Sequence, residues 1–398
     1  MLDARPRLNV VRSVVILGST GSIGTQAIEV IEGRSDRFQV VGLSAGGASL
    51  ELLIAQARAL RPRVVAVSDP AAASGLREAL PDIEVWEGPD ASTRLAAIEA
   101  DVVLNAITGA AGLEPTLATL SAGTTLALAN KESLVIGGTL VTEAAATGQI
   151  VAVDSEHSAF AQALRAGRTS EVRRLILTAS GGPFRGRSRA EQAGVTPQQA
   201  MAHPTWAMGR VITINSATLV NKGLELLEAA LLYNVPLDAV TVVVHPQSVV
   251  HSMVEFCDGS TIAQCSPPDM KLPIALGLNW PDRVPDAAAA CDWTKAAAWT
   301  FEPLDNDAFP AVELARRVGL TGGVAPAVYN AANEVAVDAF CAGRLGFTGI
   351  TDVVAAAVTR LLAGDGPDPR QLSVASVLAA DAWARQEAAS LIEATWVS

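Results

Sequence analysis

Residues 14–31 read VVILGSTGSIGTQAIEVI: a run of β-formers, three glycines, then an amphipathic stretch. A buried strand that must turn at once into a helix leaves the chain few folds to choose from. Gly18, Gly21 and Gly24 give G-x-x-G-x-x-G, a variant of the dinucleotide fingerprint. Glycine there permits a tight turn and lets a pyrophosphate approach the backbone at a helix N-terminus. A glycine-rich turn alone is weak evidence; this strand–turn–helix setting favours a nucleotide site over a plain turn. "SVVILG", "FQVVGLSAG", "PRVVAVS", "ADVVLNAI" and "TTLALAN" then read as strands alternating with helical stretches such as "LELLIAQARAL" and "AAASGLREAL". That alternation predicts a parallel sheet covered on both faces.

From about residue 151 the grammar changes. "VRRLILTAS", "TVVVHPQSVVHSMVEF" and "STIAQCS" read as strands of a mixed or antiparallel sheet, with "CDGS" (257–260) as a hairpin turn and a helix starting near Ser216. Residues 280–309 are rich in Pro, Ala, Asp and Trp without sustained period, as a linker would be. After Pro310 the pattern is helical. The expected organisation is α/β overall: a Rossmann-like domain at 1–153, an α+β catalytic, metal-binding and dimerisation domain with a mixed sheet at 154–279, a linker at 280–309 and a C-terminal helical bundle at 310–398.

With 398 residues, half of them apolar, the chain supports two or three domains with cores of their own. A net charge of −12 argues against binding nucleic-acid backbones, while leaving room for one basic pocket. The four cysteines show no CxxC spacing and read as free thiols in a reducing cytoplasm. The N-terminal segment MLDARPRLNVVR has no apolar core of signal-peptide length, and no apolar run is long enough to span a membrane.

Several residues carry chemistry. The second strand ends in Ser44, Ala45, Gly46 and Gly47, where an NAD enzyme usually has an acid for the ribose hydroxyls; with no acid to repel a 2′-phosphate, NADP is the expected cofactor. "LALANKES" places Asn130, Lys131 and Glu132 after a strand, a position that favours a ligand-facing Lys131 over an ordinary surface lysine. In "IVAVDSEHSAF" (150–160), Asp154 and Glu156 would share one face of a continuing strand and repel each other unless something positive lies between them. In "SATLVNKGLELLEAALL", Asn221 and Lys222 share a helix side with Glu225; spacing alone does not separate a site from an exposed i,i+3 ion pair. "MAHPTWAMGR" holds His203, Trp206 and Met208 amid Pro and Gly, as a loop closing over a ligand would, although a lone His or Trp is more often structural. Ser180 precedes two glycines in "LTASGGPFR", either an anion-binding turn or just a turn.

Taken together, "GSTGSIG", "LANKES", "VDSEHSA", "TASGGPFR", "HPTWAMG", "SATLVNKGLELLEA" and the later "HPQSVVHSMVEF" block resemble, in order and spacing, the 1-deoxy-D-xylulose 5-phosphate reductoisomerase family over essentially the whole chain. The resemblance implies conversion of that sugar phosphate to 2-C-methyl-D-erythritol 4-phosphate in the non-mevalonate isoprenoid pathway, with NADPH and a divalent cation, Mg²⁺ or Mn²⁺ and with Co²⁺ a third candidate. It places the metal on Asp154, Glu156 and Glu225, and the substrate phosphate on Ser180, Ser216, Asn221 and Lys222. Ser155 and Lys131 would contact the sugar near the metal, with Glu156 and Glu225 also facing it, and His203 would join from the lid with Trp206 and Met208. Lys131, His203 and the three acids would be the catalytic set. Thr20, Gly21, Ser22, Ile23, Gly46, Gly47, Asn130, Glu132 and Gly209 match cofactor contacts. The family is usually a homodimer, with a small-molecule substrate and no nucleic-acid or membrane partner. Two departures stand out: "AGGAS" lacks the basic residue some members place beside the 2′-phosphate, and Lys271 stands where many have Arg.

Two other readings compete. A different NADP-dependent Rossmann oxidoreductase, of the semialdehyde dehydrogenase type, needs a cysteine in a strand-to-helix turn and leaves the acid trio unexplained. A non-catalytic nucleotide sensor predicts an eroded polar cluster, yet every matched position is intact.

Overall fold

The structure is a computed structural model that describes residues 11–206 and 208–396. The segment 1–10, part of the stretch examined for a signal peptide, lies outside the described residues. The chain divides into two compact units, one of residues up to Asn130 with Ala144–Asp154 and Met270–Ala288, the other of Lys131–Glu143, Ser155–Asp269 and Ala289 onward.

In the first unit, β1 (Arg12–Leu17), β2 (Phe38–Ala45), β3 (Val64–Val67), β4 (Glu84–Glu87), β5 (Val102–Asn105), β6 (Thr125–Leu128) and β7 (Ile150–Ala152) form one sheet in the order β4-β3-β2-β1-β5-β6-β7. Every pairing is parallel. Helices cover both faces, so the central strands are apolar throughout: Val14–Leu17 and Val102–Leu104 are fully buried. Strand order reverses between β1 and β5, the place where such sheets open a crevice for ligands at their C-terminal ends. β4 is a short edge strand, EVWE, with both end residues exposed and too polar to read as a strand from its sequence.

The helix Lys271–Asn279 belongs here and not with the α+β region in which the sequence had placed it. Ile274, Ala275 and Leu278 are buried in the same core as Val14, Ile16 and Leu104. The Arg12 guanidinium donates to the carbonyls of Leu278 and Trp280 at 3.1 and 3.0 Å, and Lys271 pairs with Glu29 at 2.6 Å. The expected linker is divided accordingly, 280–288 packing with the first unit and 289–309 with the second.

In the second unit, β8 (Val172–Ala179), β9 (Val240–Val244), β10 (Val250–Phe256), β11 (Thr261–Cys265) and β12 (Glu302–Pro303) form a mixed sheet in the order β11-β10-β8-β9-β12. β8 and β9 run parallel, the other pairs antiparallel. The β10–β11 hairpin closes through Cys257–Ser260, where Asp258 accepts from the Ser260 N–H at 2.9 Å. "TVVVHPQSVVHSMVEF" divides into β9 and β10 because His245 Nε2 accepts the N–H groups of Val249 and Val250, at 3.2 and 3.1 Å, and turns the chain. The helices Ala311–Thr321, Ala325–Cys341, Phe347–Ala363 and Val374–Trp396 pack within this unit, with Tyr329, Phe340 and Phe347 in their interior. Among the described residues no helix is long and apolar enough to cross a membrane.

Candidate active site

The glycine turn leaves β1 at the point of strand reversal. Gly18 has φ +80°, and a Cβ on it would stand 2.7 Å from the Ala106 carbonyl oxygen, so only glycine fits. A Cβ on Gly24 would fall 2.3 Å from the Gly18 oxygen; glycine there lets the helix Ser22–Glu32 close onto the turn. The N–H groups of Gly18 and Ser19 both donate to the Ser44 carbonyl, at 2.9 and 2.8 Å, tying the turn to the end of β2. Thr20 and Gly21 follow, with Ser22 and Ile23 opening the helix. Gly46 and Gly47 continue from β2, Gly47 with φ +120°. Asn130, just past β6, donates to the carbonyls of Ile107 and Gly109, the loop that leaves β5. These backbone-rich edges suit a pyrophosphate.

Asp154 and Glu156 do not stand side by side on a strand. β7 ends at Ala152, and a helix starts at Ser155 and runs to Ala163. Asp154 is the residue at which the chain passes from the first unit to the second, bonded directly to Ser155; Glu156 lies in the first turn of the helix, where the macrodipole favours a carboxylate. The Ser155 hydroxyl donates to Glu156 Oε2 at 2.5 Å.

The helix expected near Ser216 begins earlier, at Arg210, breaks at Leu219 with φ 61°, and resumes as Val220–Tyr233. On it Asn221 donates to Glu225 Oε1 at 2.5 Å, and the Lys222 ammonium binds Glu225 and, at 2.8 Å, Glu156. Lys131, at the start of the helix Lys131–Gly137, donates to Asn221 Oδ1 at 3.0 Å and to Glu225 Oε1 at 3.2 Å. The surface-pair reading fails: Glu225 is 1% exposed, Lys222 4% and Lys131 6%. Burial works against the Lys222 ammonium, but the charges of Glu156 and Glu225 outweigh it and raise its pKa. Carboxylate oxygens of Asp154, Glu156 and Glu225 all lie within 4.8 Å of one another. Three negative charges thus face two ammonium groups, and the donors are hard oxygens without thiolate, a set that fits Mg²⁺ or Mn²⁺.

A second group gathers at His203. Its Nδ1 accepts the N–H groups of Thr205 and Trp206, at 3.1 and 2.9 Å, so the neutral ring carries its proton on Nε2. Nε2 in turn lies 3.1 Å from both Ser180 Oγ and Ser216 Oγ. Burial lowers the His203 pKa and favours this neutral state. The ring thereby joins two hydroxyls that the sequence places 36 positions apart. Trp206 packs 6.1 Å from the His251 ring, and the Met208 backbone carbonyl accepts from the Thr213 hydroxyl. Gly209 sits at the N-cap of the helix Arg210–Thr218, and Glu132 in the first turn of its own helix.

His157 and Glu228 were not singled out from the sequence. Both are buried, with His157 Nδ1 3.4 Å from Glu228 and Nε2 donating to the Glu225 carbonyl at 2.9 Å. They form a second potential ligand group with Asp154. Their signal was an i,i+3 spacing, Asp154 to His157 and Glu225 to Glu228. The four cysteines are free thiols.

A doubly wound sheet with a glycine turn, joined to a unit rich in buried carboxylates and ammonium groups, defines a Rossmann-type enzyme with a second, substrate-handling unit. Family models described as 1-deoxy-D-xylulose 5-phosphate reductoisomerase match residues 14–138, those of its C-terminal domain 150–233, and the DXP reductoisomerase C-terminal domain 265–387. The chain belongs to the 1-deoxy-D-xylulose 5-phosphate reductoisomerase family. It is 65% identical to the enzyme of that name from Cutibacterium acnes, over 96% of this chain and 98% of that one. Among solved structures, the Zymomonas mobilis reductoisomerase in complex with NADPH superimposes with TM-score 0.88 at 42% identity, over 96% of this chain and all of that one. A DOX-P reductoisomerase in complex with NADPH, fosmidomycin and magnesium gives TM-score 0.90 at 36% identity, over 96% and 98%. Family membership sets aside the semialdehyde dehydrogenase alternative.

Proposed function

We propose that Asp154, Glu156 and Glu225 hold the divalent ion of the family reaction, and that Ser180, Ser216, Asn221 and Lys222 bind the substrate phosphate. The chain is an enzyme, an NADPH- and divalent-metal-dependent 1-deoxy-D-xylulose 5-phosphate reductoisomerase of isoprenoid synthesis. Its product, on this reading, is 2-C-methyl-D-erythritol 4-phosphate. The observation that carries the site assignment is the approach of three carboxylates to within 4.8 Å, two of them bound to buried ammonium groups.

A divalent ion held by carboxylates supplies Lewis-acid polarisation of the substrate oxygens, and NADPH supplies hydride. The chain's own groups do the rest. Lys131 and Lys222 offset the negative charge of the acids before any ligand arrives. Lys222 has three N–H donors; two engage Glu156 and Glu225, leaving one for a phosphate oxygen. Ser180 and Ser216, both accepting from one imidazole N–H, keep their own hydroxyl protons to donate to the same dianion. The glycine turn, with Gly46, Gly47 and Asn130, takes NADPH. His203, Trp206 and Met208 belong to the loop that excludes water from the reacting aldehyde.

The chain acts as a homodimer in the cytoplasm. The exposed edge strand β11, with Ile262 38% exposed, supports a second copy pairing there, and four free thiols fit a reducing compartment. Oxidation of NADPH, followed with 1-deoxy-D-xylulose 5-phosphate and Mg²⁺ and with the product identified by mass, tests the reading. Tight NADPH binding with no turnover would contradict it.

A further inference from the structure

We infer that Gln56 is a positioning residue of the cofactor site, holding the glycine turn in the one backbone orientation that accepts a pyrophosphate. The inference rests on the reading above that this turn binds NADPH. Gln56 lies in the helix Leu50–Leu60, far from the turn in sequence, and is 7% exposed. Its Nε2 donates to the Ser19 carbonyl at 2.9 Å. Its Oε1 has no hydrogen-bond partner among the described residues, and neither has the fully buried Ser19 hydroxyl. A buried primary amide that leaves its own acceptor unsatisfied is costly as packing. Its position is explained by the one bond it makes.

That bond decides which way a peptide faces. A pyrophosphate attracts N–H groups and repels carbonyl oxygens. The N–H groups of Gly18 and Ser19 are already committed to the Ser44 carbonyl, which fixes one end of the turn. The Ser19–Thr20 peptide lies one residue past Gly18, at φ +80°, and precedes the helix Ser22–Glu32, where rotation of a single peptide unit would swap its N–H for its C=O. With Gln56 drawing the Ser19 carbonyl into the protein, the Thr20 N–H is left on the opposite side of that peptide. Without the donor, the carbonyl is free to rotate toward the anion.

Gln56→Met keeps length and burial while removing the donor. Calorimetry with NADPH, and separately with NADH, should show both dissociation constants rising about tenfold, as the loss of one buried hydrogen bond implies. The two rise together because they share the pyrophosphate. Adenosine 2′-monophosphate, which lacks it, should bind the variant and the wild type alike by ligand-observed NMR. Unchanged NADPH affinity in the variant would overturn the inference; so would an equal loss for adenosine 2′-monophosphate, which would mark Gln56 as merely structural. Wild-type protein that fails to bind NADPH would instead sink the underlying assignment of the turn.

Discussion

Lys222 Nζ lies 2.8 Å from Glu156 Oε1 and also binds Glu225, so a single buried ammonium joins two carboxylates that are 69 positions apart and belong to different helices. Removing one partner of a buried pair leaves the other charge uncompensated. Lys222→Ala should therefore lower the stability of the metal-free protein by about 3 kcal/mol. Added Mg²⁺ should restore much of it, as a melting curve with and without the ion would show. The same variant should raise KM for the phosphorylated substrate far more than for an analogue without phosphate; an equal rise for both would remove Lys222 from the phosphate site.

Asp154→Asn keeps the shape of the junction and removes one anionic oxygen. Turnover should fall at least about a hundredfold while NADPH binding and the melting temperature stay close to wild type. EDTA should abolish activity in the wild type without unfolding it, because Lys131 and Lys222 already balance much of the acid charge. Activity that survives chelation would mean the carboxylates serve structure alone.

His203 gives a pH dependence with a defined sign. Burial holds its pKa below the ordinary value of 6.5. The folded protein therefore binds that proton less readily than the unfolded chain, and the stability it contributes is present above the ordinary value and lost as pH falls through the lowered one. Nitrogen NMR should find the Nε2–H tautomer at pH 7, with KM for substrate rising as the ring protonates in acid. A charged ring at pH 7 would contradict the hydrogen-bond assignment at Thr205 and Trp206.

Gly24→Ala adds a methyl 2.3 Å from the Gly18 oxygen. It should cost about 2 kcal/mol of stability and weaken NADPH more than it weakens the sugar phosphate. Equal weakening of both would mean the turn acts only through the fold.

Much of this is legible in the sequence alone, and for local reasons. β1, β2, β3, β5 and β6 are buried on both faces, so their sequences are nearly uninterrupted apolar runs, and the glycine turn is set by contacts within a few residues of itself. The CDGS hairpin was likewise local. What stayed hidden depends on distant partners. The strand before Asp154 looked as though it would continue, because nothing in Val153 or Asp154 announces the helix that starts at Ser155. The helix Lys271–Asn279 could not show from its own residues that it packs with Val14 and Ile16. Lys222 and Glu225 carried the spacing of an exposed ion pair, and only Glu156, from another helix, and burial distinguish them from one. Gln56 has no motif at all, and His157 lies within VDSEHSA with only its i,i+3 spacing from Asp154 to mark it; each is defined by the distant carbonyl it holds, those of Ser19 and Glu225.

The most direct test is anomalous diffraction from crystals of the protein soaked with Mn²⁺ and NADPH. A single strong peak is expected within about 2.2 Å of oxygens from Asp154, Glu156 and Glu225 together. A peak that leaves out any of the three, or its absence at saturating Mn²⁺, would contradict the assignment.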